Sequence, residues 1–129
     1  MTGDDIMTPC ELLICAEDAM VNSYSPYSGF SVGAALITAD GRVYKGCNIE
    51  NSAFSPTICA ERTAFFKAIS EGENDFEAIA IVGKYKNGEY KHLCYPCGVC
   101  RQVMKEFCGA DFKVIFGDGK GEVEVNTLR

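Results

Sequence analysis

The sequence lacks three features that mark particular classes of protein. It contains no apolar run long enough to cross a membrane. Its opening residues, MTGDDIMTPC, are acidic where a secretory signal is basic. Its 12 Lys and Arg residues form no cluster, and the formal net charge is −6. Nucleic-acid binding depends on basic patches, so we expect a small ligand and no nucleic-acid partner. From the first two features we expect a cytoplasmic protein with no membrane partner.

The length and composition are those of one ordinary globular domain. The 129 residues are enough to bury a core without disulfides or other staples. Apolar residues make up 47% of the chain and charged residues 23%, which is typical of folded soluble proteins. No low-complexity tract or internal repeat interrupts the sequence. We therefore predict a single domain over residues 1–129 with one principal site.

Hydrophobic periodicity predicts helices and strands in alternation. Helices are predicted over residues 12–22 and from the neighbourhoods of Cys59 and Cys97, where apolar residues recur at helical spacing. Strands are predicted at the segments SVGAALIT, RVYKGC, FEAIAIVG, FKVIFG and EVEV. The Asp-Gly pair between the first two strands is a hairpin signal. This order predicts an α/β fold.

Eight cysteines are the most informative residues of the chain. In a reducing compartment, clustered cysteines bind metal or act in catalysis more often than they form disulfides. Only the segment CYPCGVC is clustered, and its Cys97 and Cys100 follow Pro96 at a predicted helix start. Free N–H groups and the positive end of the helix dipole favour thiolates there. The pair alone is compatible with a metal site or a redox-active dithiol.

A third cysteine favours the metal site. Cys59 also lies at a predicted helix start, for which Ser55 and Thr57 are candidate caps. Three thiolates with a fourth position open to water are typical of a catalytic zinc site. A fourth sulfur from Cys94 would close the site and make it structural. The single histidine, His92, is expected at the surface.

Several segments resemble one known family. The pair of motifs CAER, at residues 59–62, and PCGVCRQ, at residues 96–102, resembles the zinc signature of the cytidine deaminase superfamily. The segments YSPYSGFSVGAAL, GCNIENSAFS and CAERTAFFKAISEG are similar to the small tetrameric, three-cysteine nucleoside deaminases. The resemblance implies a three-layer α/β/α sandwich around a mixed five-stranded sheet. It also implies a homotetramer whose active sites are completed by neighbouring subunits.

The resemblance assigns chemical roles to five residues. Cys59, Cys97 and Cys100 would bind one Zn²⁺ per chain. Glu61 would move a proton from water to a ring nitrogen of the pyrimidine and then assist the departure of ammonia. Arg62 lies three residues after Cys59 on the same helix face, so its guanidinium would donate hydrogen bonds to the thiolates and reduce their negative charge.

The resemblance also implies a set of substrate contacts. Asn48 and Glu50 alternate along an extended segment, so both could hold a ribose hydroxyl between them. Phe30 would pack against the pyrimidine, and Ser52 and Phe54 would belong to the site of a neighbouring subunit. The full set of implied substrate-binding residues is Phe30, Asn48, Glu50, Ser52, Phe54 and Ala60.

The expected function is zinc-dependent hydrolytic deamination of cytidine and deoxycytidine to uridine and deoxyuridine, with release of ammonia, in pyrimidine salvage. Two alternatives differ from it. One is a deaminase of a cytosine-containing nucleoside antibiotic such as blasticidin S, built on the same zinc centre. The other is a non-catalytic domain in which Cys94 joins the three predicted ligands in a closed four-cysteine zinc site.

The metal prediction can be tested by analysing purified protein for zinc. We expect one zinc per chain, a sharp loss of zinc in Cys97→Ser, and no loss in Cys94→Ser, because only the former removes a predicted ligand. Equal losses in the two variants would support the closed four-cysteine site instead.

Overall fold

The computed structural model describes residues 7–53, 57–91, 98–117 and 123–128. Its helices are α1 (Pro9–Ala19), α2 (Ala60–Ser70) and α3 (Gly98–Phe107), and a 3₁₀ turn, Met20–Asn22, follows α1. Its strands are β1 (Phe30–Thr38), β2 (Val43–Cys47), β3 (Phe76–Tyr85), β4 (Tyr90–Lys91), β5 (Lys113–Gly117) and β6 (Val123–Thr127). Within these described ranges, no helix is both long and apolar enough to span a bilayer.

The strands form one mixed sheet. Its main path runs in the order β2-β1-β3-β5-β6. The pair β3 and β5 is parallel, and the other neighbouring pairs on the path are antiparallel. The predicted five-stranded mixed sheet is thus confirmed, and the short β4 pairs with the end of β3 as an addition. Periodicity did not predict β4, because a two-residue strand in a polar segment has no alternating pattern to detect.

Helices cover both faces of the sheet and make the predicted three layers. On one face, α1 packs through Leu12 and Ala16 against alternate residues of the central strands. On the other face, α2 and α3 pack against the intervening residues, with Phe65 and Met104 fully buried. Because both faces are covered, the segment 78–82 of β3 is buried throughout, and such strands are hydrophobic without alternation.

Two helix starts differ from the sequence predictions. Helix α1 begins at Pro9, before the predicted residue 12, because Thr8 and Glu11 form a capping box with hydrogen bonds of 2.8 and 3.2 Å. At α2 the N-cap residue is Cys59. The prediction of Thr57 as a cap is wrong, because its hydroxyl accepts a hydrogen bond from Asn51 N at 3.0 Å instead. Ser55 lies outside the described residues.

Helix α2 lies directly on the backbone of the β1–β2 hairpin. A Cβ atom at Gly46 would stand 2.5 Å from the carbonyl oxygen of Ala60 and 2.5 Å from the amide nitrogen of Ala64. Real Cβ atoms do not approach other atoms this closely, so the packing of α2 requires glycine here. On the opposite face, a Cβ at Gly33 would likewise meet the carbonyl oxygen of Ala16 in α1.

We predict that Gly46→Ala lowers the free energy of unfolding by roughly 2–3 kcal/mol, because the obstructing atoms are backbone and α2 must move. Gly109→Ala is the matched control, since a Cβ there meets nothing within 4 Å, and its effect should stay within about 0.5 kcal/mol. Chemical denaturation measures both changes. Equal stability of the two variants would contradict the close approach of α2.

Candidate active site

Three extended segments lie side by side next to the start of α2. Ile49 exchanges two backbone hydrogen bonds with Ile58, of 3.0 and 2.9 Å. On its other side, Tyr24 N donates to Asn48 O at 3.0 Å and Glu50 N donates to Tyr24 O at 2.8 Å. This pairing brings the predicted sugar-binding residues of the Asn-Ile-Glu segment close to the N-terminus of α2.

Four chemically active side chains meet between α2 and α3. Arg62 Nη2 donates a hydrogen bond to Cys59 Sγ at 3.4 Å, and Cys100 in the first turn of α3 is near enough to raise the pKa of the guanidinium. Cys100 also affects the pKa of the Glu61 carboxyl, so the two side chains lie near each other. Glu61 and Cys100 are 5% and 1% exposed. The structure therefore assembles residues that are 41 positions apart into one cluster.

Burial and the neighbouring groups shift the pKa of the Glu61 carboxyl in opposing directions. Its pKa is raised to about 7, chiefly by burial, and the nearby Cys59 thiol acts in the same direction. The backbone N–H of Glu61 itself, the positive charge of Arg62 and the interaction with Cys100 oppose the rise. The hydrogen bond with Cys59 raises the pKa of Arg62, which keeps the guanidinium charged. The cluster thus holds a permanent cation beside two thiols and a buried carboxyl.

The donor set of this cluster fits a zinc ion. Cys59 and Cys100 provide two sulfur donors beside the starts of two helices. Among the residues that the structure describes, the buried Arg62 Nε has no hydrogen-bond partner. Its N–H group can therefore still donate a hydrogen bond to a further acceptor beside the two thiols. Cys97, the third predicted ligand, lies outside the described residues, as does Cys94. Within the described ranges, no three Cys, His, Asp or Glu side chains form a metal-binding group.

Asn48 is held inside the fold by its own side chain. It is 8% exposed. Its Oδ1 accepts hydrogen bonds from Val32 N at 2.9 Å and from the Ser23 hydroxyl, and its Nδ2 donates to Phe30 O at 2.9 Å. These partners define which end of the amide is oxygen and which is nitrogen. The sequence did not predict this structural role, because the partners lie 16 to 25 residues away.

The Glu50 carboxyl accepts hydrogen bonds from the loop that precedes β1. Its Oε1 accepts hydrogen bonds from Tyr27 N at 3.0 Å and Ser28 N at 3.1 Å, and its Oε2 accepts one from the Ser28 hydroxyl. The hydrogen bond with the Ser28 hydroxyl is the largest cause of the lowered pKa of this carboxyl. Glu50 is therefore a carboxylate at neutral pH and only accepts hydrogen bonds.

The other predicted substrate residues differ in their surroundings. The Phe30 ring lies 4.8 Å from the Tyr85 ring, centroid to centroid, at 44°. Ala60, the first residue of α2, is fully buried, whereas Ser52 is exposed. Phe54 lies outside the described residues. The substrate-binding roles of this set remain predictions.

Comparison with known proteins gives consistent matches. Residues 7–117 match the family model described as the cytidine and deoxycytidylate deaminase zinc-binding region. A cytidine deaminase from Sporosarcina psychrophila is 48% identical over 118 residues, covering 92% of this chain and 83% of that protein. The crystal structure of cytidine deaminase from Burkholderia pseudomallei superposes with a TM-score of 0.85 at 42% identity, covering 95% of this chain and 94% of that one. A blasticidin-S deaminase from Bacillus cereus is 33% identical, covering 69% of this chain and 66% of that protein.

We predict that Asn48→Ala lowers the free energy of unfolding by about 2–4 kcal/mol, because it leaves the Val32 N–H and the Phe30 carbonyl without partners at a part-buried position. Asn51→Ala, at an exposed asparagine in the same segment, should cost less than about 1 kcal/mol. Urea denaturation compares the two variants. A similar small loss in both would show that the Asn48 hydrogen bonds contribute little to folding.

Proposed function

The chain belongs to the cytidine and deoxycytidylate deaminase family, and from that membership we propose that it hydrolyses cytidine and deoxycytidine to uridine and deoxyuridine. In this reaction a water oxygen bonds to the ring carbon that carries the amino group, and the amino group leaves as ammonia. The observation that carries the proposal is the meeting of buried Glu61 with Cys59, Arg62 and Cys100. Burying a carboxyl is costly in ordinary packing, so its place beside two thiols is better explained by chemistry.

The proposed metal ligands are Cys59, Cys97 and Cys100, which would hold one Zn²⁺ per chain. When bound, zinc supplies Lewis-acid activation of a water molecule at neutral pH. Arg62 supports this assignment, because its hydrogen bond to Cys59 Sγ withdraws negative charge from a sulfur ligand. Three unmodified thiolates would otherwise make the centre too electron-rich to activate water well.

Glu61 is the proposed proton carrier. It takes the proton of the attacking water, transfers it to the pyrimidine ring nitrogen, and then helps protonate the departing amino group. Its position two residues after Cys59 and its contact with Cys100 support this role, since they hold the carboxyl beside two of the proposed ligands. Its burial also keeps bulk water from competing for the proton.

The proposed sugar contacts are Asn48 and Glu50, with Phe30 packed against the pyrimidine. Support comes from the lowered pKa of Glu50, because the carboxylate present at neutral pH accepts a hydrogen bond from a hydroxyl and donates none. Ala60 would line the pocket, and Ser52 and Phe54 belong to the proposed shared sites.

The remaining features of the proposal concern organisation and context. We propose one domain over residues 1–129, a homotetramer with shared active sites, and a cytoplasmic role in pyrimidine salvage. The tetramer is supported by three large side chains exposed beside the site segment in the single chain, namely Tyr24, Tyr27 and Ile49. Light scattering tests the assembly, and a fully active monomer would contradict shared sites.

The two alternatives receive less support. The antibiotic deaminase is the weaker match, at 33% identity against 48% for a cytidine deaminase. A closed four-cysteine zinc site does not account for the buried Glu61 carboxyl among the thiols.

We predict that Glu61→Gln retains zinc while turnover of cytidine falls by at least about a hundredfold, because glutamine preserves the shape but cannot carry the proton. Metal analysis and a uridine-release assay measure the two properties separately. Near-normal turnover would remove Glu61 from the mechanism.

The proposed function is tested by comparing cytidine, free cytosine and blasticidin S as substrates of the zinc-loaded protein. Cytidine should be the good substrate. Free cytosine should be very poor, because a site built for sugar hydroxyls keeps unpaired polar groups when the sugar is missing. Glu50→Ala should lower kcat/KM for cytidine with zinc retained. Preference for blasticidin S, or equal turnover of cytosine and cytidine, would reject the nucleoside assignment.

A further inference from the structure

One hydroxyl in the loop before β1 lies between two of the proposed substrate-binding residues. Ser28 Oγ donates a hydrogen bond to Glu50 Oε2, across 22 residues of sequence. The same oxygen accepts a hydrogen bond from Phe30 N at 3.1 Å. Ser28 thereby connects the carboxylate proposed to bind the sugar with the backbone of the residue proposed to pack against the base.

The loop is shaped to present Ser28 to Glu50. Gly29 has a φ of 68°, which side-chain-bearing residues rarely adopt, and its N–H donates to Ser25 O at 3.0 Å. This turn directs Tyr27 N and Ser28 N at Glu50 Oε1. The carboxylate is therefore held from one side by two backbone donors and one hydroxyl.

Counting hydrogen bonds identifies the oxygen that is left for a ligand. A carboxylate has about four acceptor positions, two on each oxygen. Donors in the described part of the chain occupy both positions on Oε1 and one on Oε2. Counted over the described residues, one acceptor position remains, and it belongs to the oxygen that Ser28 holds.

We propose that Ser28 is a positioning residue that orients Glu50 Oε2 to accept a hydrogen bond from a sugar hydroxyl of the substrate. This inference rests on the proposed function, because it requires a nucleoside whose sugar contacts Glu50. Ser28 acts through Glu50 and not on the reacting atoms. Its removal should therefore impair only substrates that carry the hydroxyl.

A purely structural role predicts a different result. If Ser28 only maintained the loop, its loss would affect every substrate equally. Ser28 is exposed in the chain, so losing its hydroxyl should cost little global stability. Substrate dependence thus separates the two roles.

The experiment uses the full-length, zinc-loaded protein with cytidine and 2′,3′-dideoxycytidine, which lacks both ring hydroxyls of the sugar. We expect Ser28→Ala to lower kcat/KM for cytidine about tenfold, as for the loss of a hydrogen bond to a charged group. The same variant should change kcat/KM for 2′,3′-dideoxycytidine less than about twofold.

Ser28→Thr, which keeps a hydroxyl, should have values of kcat/KM close to those of the wild type. Ser25→Ala, in the same loop, is the matched control and should leave both substrates unchanged, since Ser25 Oγ lies 3.2 Å from Ser31 Oγ of β1.

A second measurement uses the double variant Ser28→Ala/Glu50→Ala. If Ser28 acts through Glu50, its removal should add no further loss once Glu50 is absent. Additive losses, equal losses on the two substrates, or an unimpaired Ser28→Ala would each overturn the inference. Failure of the wild-type protein to deaminate cytidine would instead reject the proposed function, so the two failures are distinguishable.

Discussion

The absence of a side chain at Gly46 determines where the N-terminus of α2, with its Cys59 and Glu61, lies relative to the β1–β2 hairpin. Because Gly46 lets the backbone of α2 rest on the hairpin, the first turn of that helix lies beside the extended Asn-Ile-Glu segment. Thr63 reinforces the contact, since its hydroxyl is 3.0 Å from Cys47 O and 3.1 Å from Cys59 O. Cys59, Glu61 and the segment proposed to bind the sugar are thus positioned by one close helix–strand packing.

The cluster at this helix start is held together by mutual electrostatic compensation. Burial of the Glu61 carboxyl is unfavourable when it is charged. Arg62 offsets that cost and at the same time donates a hydrogen bond to the Cys59 thiol. A group of this kind is poor at stabilising a fold, because desolvation opposes the attraction between the charges. Its arrangement is explained better by chemistry than by stability.

Sequence patterns predicted the local features of the site and missed those that depend on distant contacts. Cys59 and Arg62 were placed on one helix face by spacing alone, and the hydrogen bond between them agrees with that geometry. The internal hydrogen bonds of Asn48 and Glu50 were not predicted, because their partners lie more than a dozen residues away, in β1 and in the loop before it. Thr57 was a reasonable cap by residue type, but the strand-like pairing of Ile58 with Ile49 delays the helix until Ala60.

The unequal burial of the strands has a consequence for how this sequence can change over time. The segment 33–38 of β1 is buried, with neighbouring residues in opposite cores, so a substitution on either face disturbs packing. All five residues of β6, at the end of the sheet, are exposed. Tolerance to amino-acid replacement within the single chain should therefore rise from the centre of the sheet to this edge, while the hairpin beneath α2 stays constrained.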